Sequence, residues 1–155
     1  LALALDLATE QLAVQVVPYV ADDAPQCATL LLECRRTTFT WRDPNRYSLS
    51  DFQRETLGES LLVAKDTRQQ VVGLASVWTP DRFIHHLYVD PAWQGKGVGT
   101  QLLQRAAEEF GLPLSLKCAE LNQRAIAFYM RRGWYLKERG VSNCEAFLLL
   151  EYSGS

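Results

Sequence analysis

A chain of 155 residues, 48% hydrophobic and 22% charged, has the size of one domain with a core of its own, which excludes fibrous and low-complexity classes. A net charge of −2 and the lack of any apolar run of membrane-span length exclude a dedicated nucleic-acid binder and a helical membrane protein. The cysteines Cys27, Cys34, Cys118 and Cys144 form no C-x-x-C pair, and they are expected as buried free thiols in a reducing compartment, hence the cytoplasm.

Residues 1–10 are apolar but lack a basic start and contain Asp6 and Glu10, so they are read not as a signal peptide but as an extension, flexible or foreign to the native chain, of a single domain over 1–155. The first 34 residues hold five acids and no Lys or Arg, leaving sixteen basic against thirteen acidic residues in the remainder, a bias that suits a ligand with several phosphates. Residues 11–19 alternate as a strand, with Leu12, Val14 and Val16 on one face. Asp22 or Asp23 then caps a helix with Pro25 in its first turn, and Cys27, Leu30, Leu31 and Cys34 form its inner stripe until Arg35 and Arg36 end it. An irregular aromatic stretch follows. Ser50 and Gln53 have capping-box spacing for a short helix to residue 57.

Residues 61–65, 71–78 and 83–89 read as three antiparallel strands joined by polar turns. A glycine-rich turn leads into a helix whose inner face carries Val98, Leu102, Leu103, Ala106 and Phe110, and which Gly111 and Pro113 stop. Residues 114–119 form a strand reached over that helix and therefore parallel to its predecessor. Asn122 caps a last helix that Gly133 terminates, and residues 134–139 and 144–151 close the chain as an antiparallel pair. The expected fold is α/β (α+β): a mixed, mostly antiparallel sheet of six to seven strands with flanking helices, in the order β-α-α-β-β-β-α-β-α-β-β.

The turn LYVDPAWQGKGVGT carries the chemistry. Gly95, Gly97 and Gly99 leave room for backbone N–H groups to close around an anion, and the helix that starts near Val98 adds its unpaired N–H groups and the positive end of its dipole. Neither the P-loop pattern nor the dinucleotide pattern fits glycines spaced evenly by two. Gln94-x-x-Gly97-x-Gly99 after an L-x-V strand, with the later N-x-x-A-x-x-F-Y…G-W stretch, resembles the Gcn5-related N-acetyltransferases (GNAT) over essentially the whole chain. The resemblance implies an acetyl-CoA-dependent N-acetyltransferase that moves an acetyl group to a primary amine by direct transfer in a ternary complex. Its cosubstrate is acetyl-CoA, with no metal. Its acceptor is expected to be a small-molecule amine, with a protein amino group as the alternative, and neither nucleic acid nor membrane; a homodimer is left open. A non-catalytic acyl-CoA-binding module on the same fold is the reading from a different class.

By the same resemblance Leu87, Tyr88 and Val89 pair their backbone with the pantetheine arm. Gln94, Gly95, Lys96, Gly97, Val98, Gly99 and Thr100 surround the pyrophosphate, and a backbone N–H near Val89 polarises the thioester carbonyl. Asn122 is expected to bond the cofactor and Tyr129 to act as general acid. A phenol of pKa ~10 can protonate a departing thiolate whose own pKa is ~8.5. Strict alternation puts Phe83, His85, Leu87 and Val89 on one strand face and Ile84, His86 and Tyr88 on the other. His85, two residues before the L-x-V leucine, is the expected base, Glu120 the alternative and His86 a bystander. Phe39, Trp41 and Tyr47, with Arg35, Arg36, Arg42 and Arg46 among them, are expected to wall the acceptor side, and a cationic wall would favour an acceptor bearing a carboxylate or a ring.

Overall fold

A computed structural model describes residues 13–154. The extension read over 1–10, and Leu12 of the first expected strand, lie outside the described residues. In chain order the elements are β1 (Gln15–Pro18), α1 (Ala24–Thr38), α2 (Asp51–Glu55), β2 (Ser60–Lys65), β3 (Val71–Trp78), β4 (Phe83–Val89), α3 (Val98–Phe110), β5 (Leu114–Ala119), α4 (Gln123–Arg131), β6 (Tyr135–Ser142) and β7 (Glu145–Tyr152). The strands form one seven-stranded sheet in the order β1-β2-β3-β4-β5-β7-β6. Every neighbouring pair is antiparallel except β4 and β5. The expected order of elements and the single parallel crossover are both present.

Some local expectations fail for identifiable reasons. Asp23 stands at the start of α1, but its carboxylate accepts from the Val20 N–H at 3.0 Å and makes no cap bond to the helix. No capping box forms at α2: the Ser50 side chain makes no cap bond, and its hydroxyl meets Ser48 Oγ instead. Asp51, one residue later, takes over by accepting from the Ser48 N–H at 3.0 Å. At the far end, Cys144 is exposed rather than buried. Asn143 and Cys144, with φ of 50° and 65°, are the two turn residues between the paired Ser142 and Glu145. A two-residue hairpin that needs positive φ at both positions overrides the apolar character of the thiol.

Helices pack on both faces of the sheet. Alternation along the strands explains why: Leu62 and Ala64 of β2 belong to the cluster that Val98, Leu102 and Ala106 of α3 complete, whereas Val63 belongs to the cluster of Cys27, Leu30, Leu31 and Cys34 of α1. Central β3 is buried on both faces along nearly its whole length. Val98, Leu102 and Leu103 are all buried, each contributing roughly 1.5–3 kcal/mol to docking α3.

The irregular point is in β4. Ser76 opposes His86 and Val77 opposes Ile84, so His85 is an extra residue without a partner on β3. This bulge breaks strict alternation. Ile84 joins Leu87 and Val89 on the α3 side, and His85 turns towards the side of His86, their rings 4.1 Å apart. The expectation that His85 shares a face with Leu87 and Val89 is thereby corrected. Next to the bulge, β4 and β5 pair only at Phe83–Ser115 and Ile84–Leu116, then part.

Candidate active site

The parting of β4 from β5 opens a cleft of about 720 Å³. Its walls are the end of α1, the β4 edge, the glycine turn, β5 and one face of α4. Beyond Ile84 the β4 edge has no strand beside it among the described residues. The Asp90 N–H donates to Val72 O at 2.8 Å, on the β3 side. Alternation along an antiparallel ladder therefore turns the Val89 and Leu87 N–H groups to the open edge. The Val89 carbonyl on that edge already accepts from Cys34 Sγ at 3.4 Å and Gln94 Nε2 at 3.1 Å. An extended guest with amide groups can complete this ladder as a further strand would.

The edge leads into the glycine turn. Gly95 (φ 77°) and Gly97 (φ 86°) adopt the left-handed conformation and have no heavy atom within 4 Å of where a Cβ would stand. Gly97 is the residue that opens α3. Gly99 is small for another reason: a Cβ there would sit 3.1 Å from Phe128 Cζ, so it lets α4 close onto α3. Gln94, Gly95, Gly97, Val98 and Gly99 all line the cleft. Lys96 and Thr100 do not. The Lys96 ammonium lies 5.3 Å from the centre of the Trp93 ring, and Thr100 Oγ1 accepts from Arg132 Nε at 2.7 Å. Arg124, Arg131 and Arg132 also line the cleft, and sequence reasoning passed over all three. Their spacing of seven and eight residues along α4, on the stripe of Ala125 and Phe128, was the available signal. Positive φ, open helix N–H groups and these guanidinium groups suit the cradle to a polyphosphate such as the pyrophosphate of coenzyme A.

Asn122 lines the cleft, but its Oδ1 caps α4 by accepting from Ala125 N at 3.2 Å, leaving its NH₂ for a ligand. Tyr129 lies on the same helix, 7% exposed, with its ring edge-on to Phe128 and Trp134. Burial first, then the neighbouring Cys118, pushes its phenol above the ordinary range, so the group stays protonated at neutral pH. Cys34 and Cys118 also line the cleft, and burial raises their thiols to about 12 and about 11, which makes them poor nucleophiles.

Of the two base candidates, His85 lines the cleft and is 42% exposed. Its Nδ1 lies 3.0 Å from Oε2 of Glu59, a carboxylate just before β2 that sequence reasoning did not single out. A carboxylate on one ring nitrogen fixes the orientation of the imidazole and directs the other outward. Glu120 is not among the cleft-lining residues; it lies 3.4 Å from Arg139 Nη1.

Of the expected acceptor wall, Phe39 lines the cleft, whereas Trp41 packs edge-on against it and Tyr47 is buried, accepting from Arg42 Nη1 at 3.0 Å. The arginines are committed elsewhere. Arg35 holds both oxygens of Glu55 at 2.6 and 2.8 Å, and Arg42 donates to Glu145 through Nε and Nη2. Arg36 donates to the carbonyls of Pro44 and Tyr47, and Arg46 stacks on Tyr47. The wall is aromatic, and of its four arginines Arg35 and Arg42 are ion-paired with carboxylates of the protein.

An unfinished sheet edge, a glycine cradle at a helix start and a buried tyrosine across the gap are thus brought together in one cleft. The acetyltransferase (GNAT) family model matches residues 25–134, and the chain belongs to that family. Among solved structures it is similar to the apo form of YjaB from Escherichia coli, with 22% identity and a TM-score of 0.77 over 92% of this chain and 99% of that one. It is also similar to the PaiA N-acetyltransferase from Thermoplasma acidophilum, solved with coenzyme A (14%, TM-score 0.73, 92% and 99% covered). A third is the spermidine N-acetyltransferase from Vibrio cholerae, solved with CoA and spermine (16%, TM-score 0.68, 90% and 95% covered). No curated protein sequence matches the chain closely enough to count as a relative.

Proposed function

We propose that the protein transfers an acetyl group from acetyl-CoA to the primary amine of a small molecule, directly and within a ternary complex. The observation that carries this reading is the open β4 edge, which runs from the glycine cradle past Val89 into the space that His85 and Tyr129 both line. Acetyl-CoA supplies an activated acyl group; the chain supplies position and protons. Gly95 to Gly99 hold the phosphates, and the Leu87 and Val89 backbone aligns the arm. The Val89 N–H faces the thioester carbonyl and stabilises charge developing on its oxygen. His85, oriented by Glu59, accepts the proton that the amine must shed, and Tyr129 donates one to the departing thiolate. The carboxylates of Glu55 and Glu59 beside the histidines, with Arg35 and Arg42 of the wall already paired to carboxylates, favour a cationic amine over an acidic acceptor. The structures of relatives solved with CoA, one of them also with spermine, support this reading.

The test is release of free thiol from acetyl-CoA across a panel of mono-, di- and polyamines. Turnover is expected with at least one amine, and Tyr129→Phe should lower kcat by about 10²-fold with little change in the KM for acetyl-CoA. An unchanged kcat would remove Tyr129 from the acid role. CoA binding without turnover on any amine would instead favour a non-catalytic module.

A further inference from the structure

Among the described residues, five buried side-chain polar atoms lack a hydrogen-bond partner, and four of them lie in one neighbourhood. They are both ring nitrogens of His86, Ser76 Oγ and Glu59 Oε1. Ser76 faces His86 across the β3–β4 ladder, and Glu59 reaches His85. A buried polar atom left unsatisfied is destabilising, so their gathering needs a cause. The His86 side chain is only 2% exposed, and its Nε2 lies 3.6 Å from Glu55 Oε1. One ligand atom each from Glu55, His85 and His86 fall within 4.8 Å of one another.

We propose that Glu55, His85 and His86 form a binding site for a divalent transition-metal ion of the Zn²⁺ or Co²⁺ kind. Two imidazoles and a carboxylate are the donor set such ions prefer, with a fourth position left for water. The bulge in β4 makes the site, because only there do adjacent strand residues turn their rings the same way. Tetrahedral bonds of 2.0–2.1 Å require donor atoms ~3.3 Å apart, a contraction that the half-exposed His85 ring can supply. Glu59, 3.0 Å from His85 Nδ1, is placed as the outer carboxylate that metal-bound histidines commonly carry. Arg35 uses one lone pair on each Glu55 oxygen, so each oxygen retains another. The Asp51 carboxylate, 3.6 Å from the same guanidinium, offsets part of its positive charge.

The site does not depend on the acetyl-transfer reading. Where that reading holds, a bound ion occupies the His85 lone pair and inhibits transfer. Titration of the purified full chain with Co²⁺, followed by its visible d–d absorption and displaced by Zn²⁺, tests binding apart from activity. One saturable equivalent with a tetrahedral spectrum is expected. His86→Gln and His85→Asn, each checked for a native circular dichroism spectrum, should weaken it at least about tenfold, and Cys144→Ser should leave it unchanged. Absence of saturable binding, wild-type binding in either histidine variant, or loss in Cys144→Ser would overturn the proposal. The exposed His85 position keeps the test valid even if replacement of His86 unfolds the chain.

Discussion

Cys27, Cys34 and Cys118 are enclosed by apolar neighbours, and burial raises Cys27 and Cys34 to about 12 and Cys118 to about 11, whereas Cys144 stands exposed in the β6–β7 turn. A thiolate is the reacting form, so iodoacetamide at pH 8 should label Cys144 and leave the other three until the chain unfolds. Peptide mass spectrometry gives the order; early labelling of Cys34 would mean that the cleft admits water more freely than its walls suggest. At this scale the sequence was legible where one residue type serves one purpose. Positive φ at Gly95 and Gly97 follows from a turn that only glycine tolerates easily. His85 was chosen by its distance from an L-x-V leucine, but its orientation, its partner Glu59 and the burial of His86 depend on a bulge that no local pattern announces.

The connection between α1 and α2 is tied across the molecule to the β6–β7 hairpin by Arg42 and Glu145, which also lies near the Trp41 indole. Hydrogen bonds from Arg42 are the main reason that the Glu145 carboxyl titrates below its ordinary range. A depressed carboxyl favours the folded state when ionised, so the bridge contributes fully above about pH 4.5 and is lost as pH falls through the lower folded value. With both side chains partly exposed, the expected contribution is about 1 kcal/mol. Urea unfolding of Glu145→Gln should show that deficit at pH 7 and almost none at about pH 3; an equal deficit at both would point to packing rather than charge. This tie spans 103 residues of sequence, which is why it was not legible, whereas the helices around it were. The stripe of Cys27, Leu30, Leu31 and Cys34 and that of Val98, Leu102, Leu103 and Ala106 announce their buried faces through spacing alone. Arg35 and Arg42 read as a cationic wall because the sequence lists their charges without the distant carboxylates that neutralise them.

At the scale of the whole molecule the sheet is one body with a gap in its middle, and only two rungs join β4 to β5. A ligand that completes the ladder binds the folded chain and has no site on the unfolded one. CoA at a hundred times its Kd should therefore add about 2.7 kcal/mol of stability, or roughly 5–10 °C in Tm. Differential scanning calorimetry checks this; no shift would mean that the cradle and the β4 edge do not hold the cofactor. In the proposed complex much of that grip comes from backbone, namely the N–H groups of Leu87 and Val89 and those at the start of α3. In that complex these peptide groups meet mainly the phosphates and the arm's amides, and of them only the Val89 N–H reaches the acyl carbonyl at its tip. The spent carrier and the loaded one thus present the same face to most of the site. In the proposed reaction, CoA left behind competes with incoming acetyl-CoA on nearly equal terms, and turnover in a cell follows the ratio of the two rather than the amount of either.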